Sequence, residues 1–338
     1  MSSETIGISA VITFEEMKDN ELVERLFKRK GGQAVMDFMN FTTLIRDEVE
    51  KKVGDCFQVR LHDVRKNNGA VLKGLTVMQD DSNISPTIYL NNYYEEYTNG
   101  RVTLAGVVNG VVDTYNLNKV NHSVDMCYFL NFESVKQCVV YSLVNTEKNR
   151  VLLEDVPYKE FLDLSIIFKC LVSDDELGTA SILIHNSHMK MWGVTVEELY
   201  QAAEENTPQL QEYEIKSMAE TLRDIEEEFG EFDHETCMEG IRDVVPMYVL
   251  SNKSRVEGAA CILYPNLIED FADASGGSLY IIPSSVHEVI LLPAGQGEES
   301  AEIKSMIREI NDTQVSPEEV LSYSLYFYDR EDGRIIRI

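Results

Sequence analysis

The densest gathering of chemistry-bearing side chains is the segment Leu279 to Pro293, LYIIPSSVHEVILLP, where Ser284, Ser285, His287 and Glu288 sit between two apolar runs of strand length. A hydroxyl nucleophile, an imidazole base and a carboxyl group are the parts of covalent acyl transfer. Their spacing limits that reading. In an extended chain Ser285 and His287, at i and i+2, share a face, while Glu288 falls on the opposite one and cannot orient that histidine. No G-x-S-x-G elbow occurs to expose a serine. The zinc-protease pattern needs a second histidine four positions after the first, and position 291 is leucine. Two readings stand: a hydrolase or transferase with Ser284 or Ser285 as nucleophile and His287 as base, aided by a distant carboxylate, or a Pro-Ser-Ser turn whose hydroxyls bond local backbone groups. The spacing favours the turn.

Other motifs are weaker. His185 and His188 form H-x-x-H, which on a helix would offer both rings to one metal, but no cysteine or third histidine lies in that segment, so no metal site is assigned. Phosphate-loop and kinase signatures are missing, and Gly100, Gly106 and Gly110 are too far apart for a dinucleotide turn, so no cofactor is expected. The six cysteines are dispersed without a C-x-x-C pair, as in a reducing compartment.

The 338 residues, 44% of them hydrophobic, are ample for a core; no apolar run approaches a membrane span, and the N-terminus lacks the basic start of a signal peptide. A cytoplasmic protein is expected. The net charge of −28 is uneven: residues 1–75 hold twelve acids and twelve bases, residues 76–338 hold 46 acids and 18 bases. Between Glu197 and Asp243 sixteen acids face three bases. Such a body repels nucleic acid, and the basic clusters Lys28-Arg29-Lys30 and Arg65-Lys66 lack interleaved aromatic rings for single strands. The acidic block is either a solvated face or a docking surface for a protein with a basic surface.

These residues need elements to place them. Apolar spacing predicts helices over 14–30 and 33–53, then a hairpin of Phe57–Leu61 and Val71–Met78 around Asn67-Asn68-Gly69, and a short strand over Pro86–Leu90. Tyr93, Tyr94 and Tyr97, at helical spacing, pack on that sheet. Val135, Cys138, Val139 and Leu143 read as one helical stripe, followed by strands Leu164–Val172 and Ala180–Ile184. Thr195 and Glu198 form a capping box, and Pro208 marks the end of that helix. Strands follow at Tyr248–Leu250 and Ala259–Leu263, then a helix with Pro265 in its first turn, stopped by Gly276-Gly277. The runs Leu279–Ile282 and Val289–Leu292 are joined by six residues, too few for a parallel crossover, and should pair antiparallel. Ile303, Met306, Ile307 and Ile310 form a helix covering that pair; Ser316-Pro317 opens a further helical turn, and the chain closes in a hairpin around Asp332-Gly333. The sum is an α+β fold with antiparallel sheets and helices packed on one face, in two subdomains.

The phrases VRLHDVRKNNGAVLKGLTV, ISPTIYLNNYYEEYTNG and NTPQLQEYEIKSM, and MYVLSN followed by GGSLYIIPSSVHEVILLPA, are specific in word and order. In them the chain resembles a bacterial family of gut Firmicutes catalogued as domain of unknown function 5688. The resemblance spans about Met36 to Asp329, setting residues 1–35 apart as an N-terminal extension, with 36–245 an N-terminal α+β domain ending in the acidic segment and 246–338 a C-terminal subdomain. It implies no reaction and no catalytic residues; PSSVHE belongs to the shared phrase, His185 and His188 do not. The expectation is a non-enzymatic cytosolic protein that binds a basic macromolecular partner, with the PSSVHE hydrolase or transferase as the alternative.

Overall fold

In the computed structural model, which describes residues 27–30, 33–79, 85–119, 127–174, 178–229, 246–295 and 300–338, Asp37 decides where the first long helix begins. Its carboxylate accepts the Asn40 N–H at 3.0 Å, and α1 runs Phe38–Val53. The chain before it is extended: β1 (Phe27–Lys30) and β2 (Gln33–Met36) pair antiparallel, with Lys30 opposite Gln33. The expected helices over 27–30 and 33–36 are thereby corrected; Gly31-Gly32 is a hairpin signal in the sequence that outweighs apolar spacing. Residues 14–26 lie outside the described residues.

Contacts divide the chain into two units, residues 1–65 with 71–124, and residues 66–70 with 125–338. In the first, β3 (Phe57–Arg65), β4 (Val71–Gln79) and β5 (Thr87–Tyr89) form an antiparallel sheet whose register aligns Val59 with Val77, and Leu61 with Leu75 and Ile88. That apolar row is covered by Phe41, Ile45 and Val49 of α1, by α2 (Leu90–Thr98), and by Val107, Val111 and Tyr115 of α3 (Leu104–Asn118). The three tyrosines, expected on the sheet, pack against this core and meet its helices: Tyr97 stacks on Phe41 at 5.3 Å, the Tyr93 hydroxyl lies 3.1 Å from that of Thr114, and the Tyr94 hydroxyl bonds Met36 O.

The second unit holds two sheets. In one, β8 (Leu164–Asp174) pairs with β6 (Val139–Asn145), β7 (Tyr158–Phe161) and β9 (Gly178–Leu183). The helix expected through Val135, Cys138, Val139 and Leu143 is corrected: one helical turn ends at Val135, a 3-10 turn spans Lys136–Cys138, and β6 follows. Every residue of β6 is buried, so it shows no alternation and its apolar run fits either period. Helices α4 (Asn186–Trp192) and α5 (Val196–Leu210) come next, α5 opened by the expected Thr195–Glu198 capping box. Pro208 does not end α5 but lies within it. At the last turn a missing N–H costs one bond, and Leu199, Ala202 and Ala203 anchor the helix in the core regardless.

The other sheet has six antiparallel strands in the order β10 (Tyr213–Ser217), β11 (Tyr248–Asn252), β13 (Val289–Pro293), β12 (Leu279–Ile282), β14 (Tyr326–Asp329), β15 (Arg334–Arg337). The expected boundary near 245 falls between β10 and β11, which pair along their full length. β12 and β13 pair antiparallel as expected, and Gly333, at φ 62°, turns the closing hairpin. Between strands lie α6 (Met218–Phe229), α7 (Leu267–Ser275) and α8 (Ser300–Thr313). The segment Gly258–Leu263 is a buried 3-10 helix and not the expected strand; Pro265 precedes α7, whose N-cap is Asn266; and Ser316 begins a single turn, accepting the Glu319 and Val320 N–H groups, without a helix.

Period-two alternation gives this sheet two functions. Leu250, Leu279, Ile281, Val289, Leu291, Tyr326 and Tyr328 enter the large core shared with β6, β8 and α5. On the other face Ile282 and Leu292 meet Ile303 and Ile307 of α8, the packing expected for that stripe. Ile290 continues that apolar face, and two residues before it, just outside β13, stands Glu288.

Candidate functional site

The turn 283–288 between β12 and β13 is held by backbone bonds to the strand-like segment 319–322. Ser322 N–H bonds Pro283 O at 2.9 Å, Leu321 N–H bonds Ser284 O at 3.0 Å, and Val286 N–H bonds Glu319 O at 2.8 Å. The Ser285 hydroxyl accepts the His287 N–H at 3.0 Å, the local bonding expected of a structural turn. The Ser284 hydroxyl is buried and has no partner. His287 Nδ1 accepts the Glu257 N–H at 3.2 Å, which places the proton of a neutral ring on Nε2, 3.6 Å from Glu319 Oε1. His287 O in turn accepts the Ser251 hydroxyl at 2.6 Å. Gly258 sits where a Cβ would come within 2.5 Å of Asn252 N and 2.7 Å of His287 O, so the backbones meet there because no side chain intervenes. Among the described residues no hydrogen bond joins either serine hydroxyl to the His287 ring. The four candidates are therefore neighbours without forming a nucleophile–base pair.

Glu288 belongs to a different surface. The pairing of β10, β11 and β13 sets Lys216, Val249 and Ile290 in one row, with Glu214 and Ser251 in the next row of the same face, and Glu288, the residue before β13, lies beside them. Together with Met218 and Thr221 of α6, and Arg255, they line a cleft of about 280 Å³. Its charged groups are unequally matched. Lys216 Nζ lies 2.8 Å from Asp224 and 3.0 Å from Glu214, and Arg255 lies 3.1 Å from Asp224. No cation among the described residues lies within ion-pair distance of Glu288. Burial, with the like charge of Glu319, raises its carboxyl above the usual carboxylate range, against the opposing pull of His287, the Ser285 hydroxyl and Arg255.

His185 caps α4 and bonds Asp155 at 2.7 Å through Nδ1; His188 Nδ1 accepts the His185 N–H at 3.0 Å, and burial lowers its basicity. The rings stand 5.5 Å apart and edge-on, and among the described residues no group of three ligating side chains could hold a metal. Cys170 and Cys261 are buried, their thiols pushed up to about 12, while Cys56 and Cys127 are exposed, Cys138 is half-buried and Cys237 is outside the described residues. The side chains of half of the acids in the acidic block, Glu197 to Asp224, are described. Glu212 and Glu214 pair with lysines, Glu198 and Glu220 cap helices, and Glu204 accepts the Tyr200 hydroxyl.

Two groupings escaped the sequence reading. Asp163 accepts hydroxyl bonds from Tyr326 at 2.6 Å, Ser322 at 2.7 Å and Ser324 at 2.9 Å; burial pushes its carboxyl up, but the three donors together hold it below the usual range. The signal was present, since Ser322, Ser324 and Tyr326 alternate on one face of an extended chain. The turn Asn67-Asn68-Gly69 is likewise more than a hairpin end: the Asn68 amide bonds Pro317 O and Val320 O, and Asn149 bonds both asparagines.

A family model described as a family of unknown function (DUF5688) matches residues 38–330, close to the span of the resemblance read from the phrases. No curated protein matches the chain, and no solved structure does. Among the described residues no helix is long and apolar enough to cross a membrane.

Proposed function

We propose, from the premise that this chain belongs to the DUF5688 family of unknown function, which carries no reaction or partner over to it, that the protein is a non-enzymatic cytoplasmic protein that binds a basic macromolecular partner through its second unit. The distribution of charge carries this reading. The first unit has 17 acids and 13 bases, whereas the second has 41 acids and 17 bases, a net of −24. Capping and hydroxyl bonds at Glu198, Glu204 and Glu220 fix carboxylates on the surface without neutralising them. A preorganised negative surface speeds encounter with a positive one.

Titrating the full chain calorimetrically with a lysine octapeptide should give binding that weakens as salt rises, while a glutamate octapeptide gives none. No heat with the lysine peptide at low salt, or equal binding of both peptides, contradicts the reading. The alternative, a hydrolase or transferase using Ser284 or Ser285 with His287, draws on the unpartnered Ser284 hydroxyl. It lacks a serine–imidazole bond, and labelling of the folded protein by a serine-directed probe, abolished by His287→Ala, is the result that would restore it.

A further inference from the structure

Two bases, Lys216 and Arg255, and three acids, Glu214, Asp224 and Glu288, face the cleft on β10, β11 and β13 or bond to its walls. Both bases and two of the acids are already engaged with one another, and behind Glu288 lie His287 of the turn and Glu319 of the 319–322 segment, 3.6 Å apart. The carboxyl of Glu288, bonded by the Ser285 hydroxyl and attracted by His287 and Arg255, is still partly desolvated with no cation in ion-pair range among the described residues, a cost that an incoming positive head group would relieve. An anion would instead meet three carboxylates around two bases that are already bonded. Val249, Ile290 and Met218 supply apolar wall beside that polar end. At about 280 Å³ the cleft is just under the roughly 300–1,000 Å³ of pockets that enclose drug-sized ligands. An aliphatic stem with a charged tip has the matching character.

We propose that this cleft is the socket for one basic side chain, lysine or arginine, of the partner, with its head on the Glu288 carboxyl and its stem along Val249, Ile290 and Met218. The inference rests on the binding function above and narrows it to one contact. Engagement needs the ionised carboxyl, so affinity falls as pH drops through the raised value of Glu288, at higher pH than for an ordinary surface glutamate.

The test is the affinity of the full chain for the lysine octapeptide, compared among the unaltered protein, Glu288→Gln, Thr221→Trp and Glu205→Gln, with melting curves to confirm folding. Glu288→Gln removes the charge with little change of shape, and Thr221→Trp obstructs the cleft without touching a charge. Each should weaken binding roughly tenfold, as expected for a desolvated charge-assisted contact, and Glu205→Gln, on the exposed face of α5, about twofold or less. Equal small losses in all three variants overturn the socket and leave a diffuse acidic surface as the binding function. No binding by the unaltered protein overturns both.

Discussion

The imidazole of His287 has Nδ1 committed to the Glu257 N–H and Nε2 directed at Glu319, whereas the Glu288 carboxyl, one residue on, lies in a cleft with no cation in ion-pair range among the described residues. The first region is a clasp: turn 283–287, the 319–322 segment, Ser251 and Gly258 spend their polar groups on one another, the buried Ser284 hydroxyl excepted. The second is a surface with a debt of solvation. Clustering in sequence marked both together, yet polar atoms already satisfied by backbone have little left for a ligand and the Ser284 hydroxyl is buried, so the half-buried carboxyl with no cation in ion-pair range is the better candidate for binding.

Variants can pull the two regions apart. The largest effect should come from neither: Ile307→Ala, in the apolar half of the face that carries Glu288, should cost about 2–5 kcal/mol in urea denaturation because Ile307 is fully buried. The pH dependence arising from Glu288 should survive it. Gly258→Ala places a methyl group against Asn252 N and His287 O and should cost about 1–3 kcal/mol, with loss of the clasp read from increased amide exchange over 284–287. His287→Ala removes the acceptor for one N–H and should cost about 1 kcal/mol, with peptide binding kept.

Glu288→Gln should have the smallest effect on stability and the opposite sign at neutral pH. Glu288 holds its proton more tightly folded than unfolded. Its contribution to stability is therefore complete below the ordinary glutamate value and lost as pH rises through the raised folded one. Glu288→Gln should remove that loss, raising the melting temperature at pH 7 relative to that at pH 4. An unchanged difference between the two would mean that Glu288 is solvated like a surface acid.

Much of the fold was legible where one face is buried and the other wet. The Val59–Val77 hairpin, the β12–β13 pair and the Ile303–Ile307 stripe all carry clean periods. The reading failed where burial is complete: β6 and the 3-10 helix at Gly258–Leu263 are apolar without alternation, and such runs do not distinguish helix from strand. At the site, the opposite facing of His287 and Glu288 followed from period two, and the bonding of the Ser285 hydroxyl from turn chemistry. The cleft was not legible. It joins Lys216 to Ile290 through β11, and a row of residues across three strands is set by register between segments more than thirty residues apart.

The most direct measurement is a carbon-13 NMR titration of the glutamate carboxyl groups, with Glu288 assigned by Glu288→Gln, in the full chain with and without a saturating lysine octapeptide. The account predicts that Glu288 titrates above the ordinary glutamates in the free protein and moves down when the peptide is bound, while the His287 ring resonances stay in place. A Glu288 titration unmoved by bound peptide, or a peptide-induced change at His287 and not at Glu288, would contradict it.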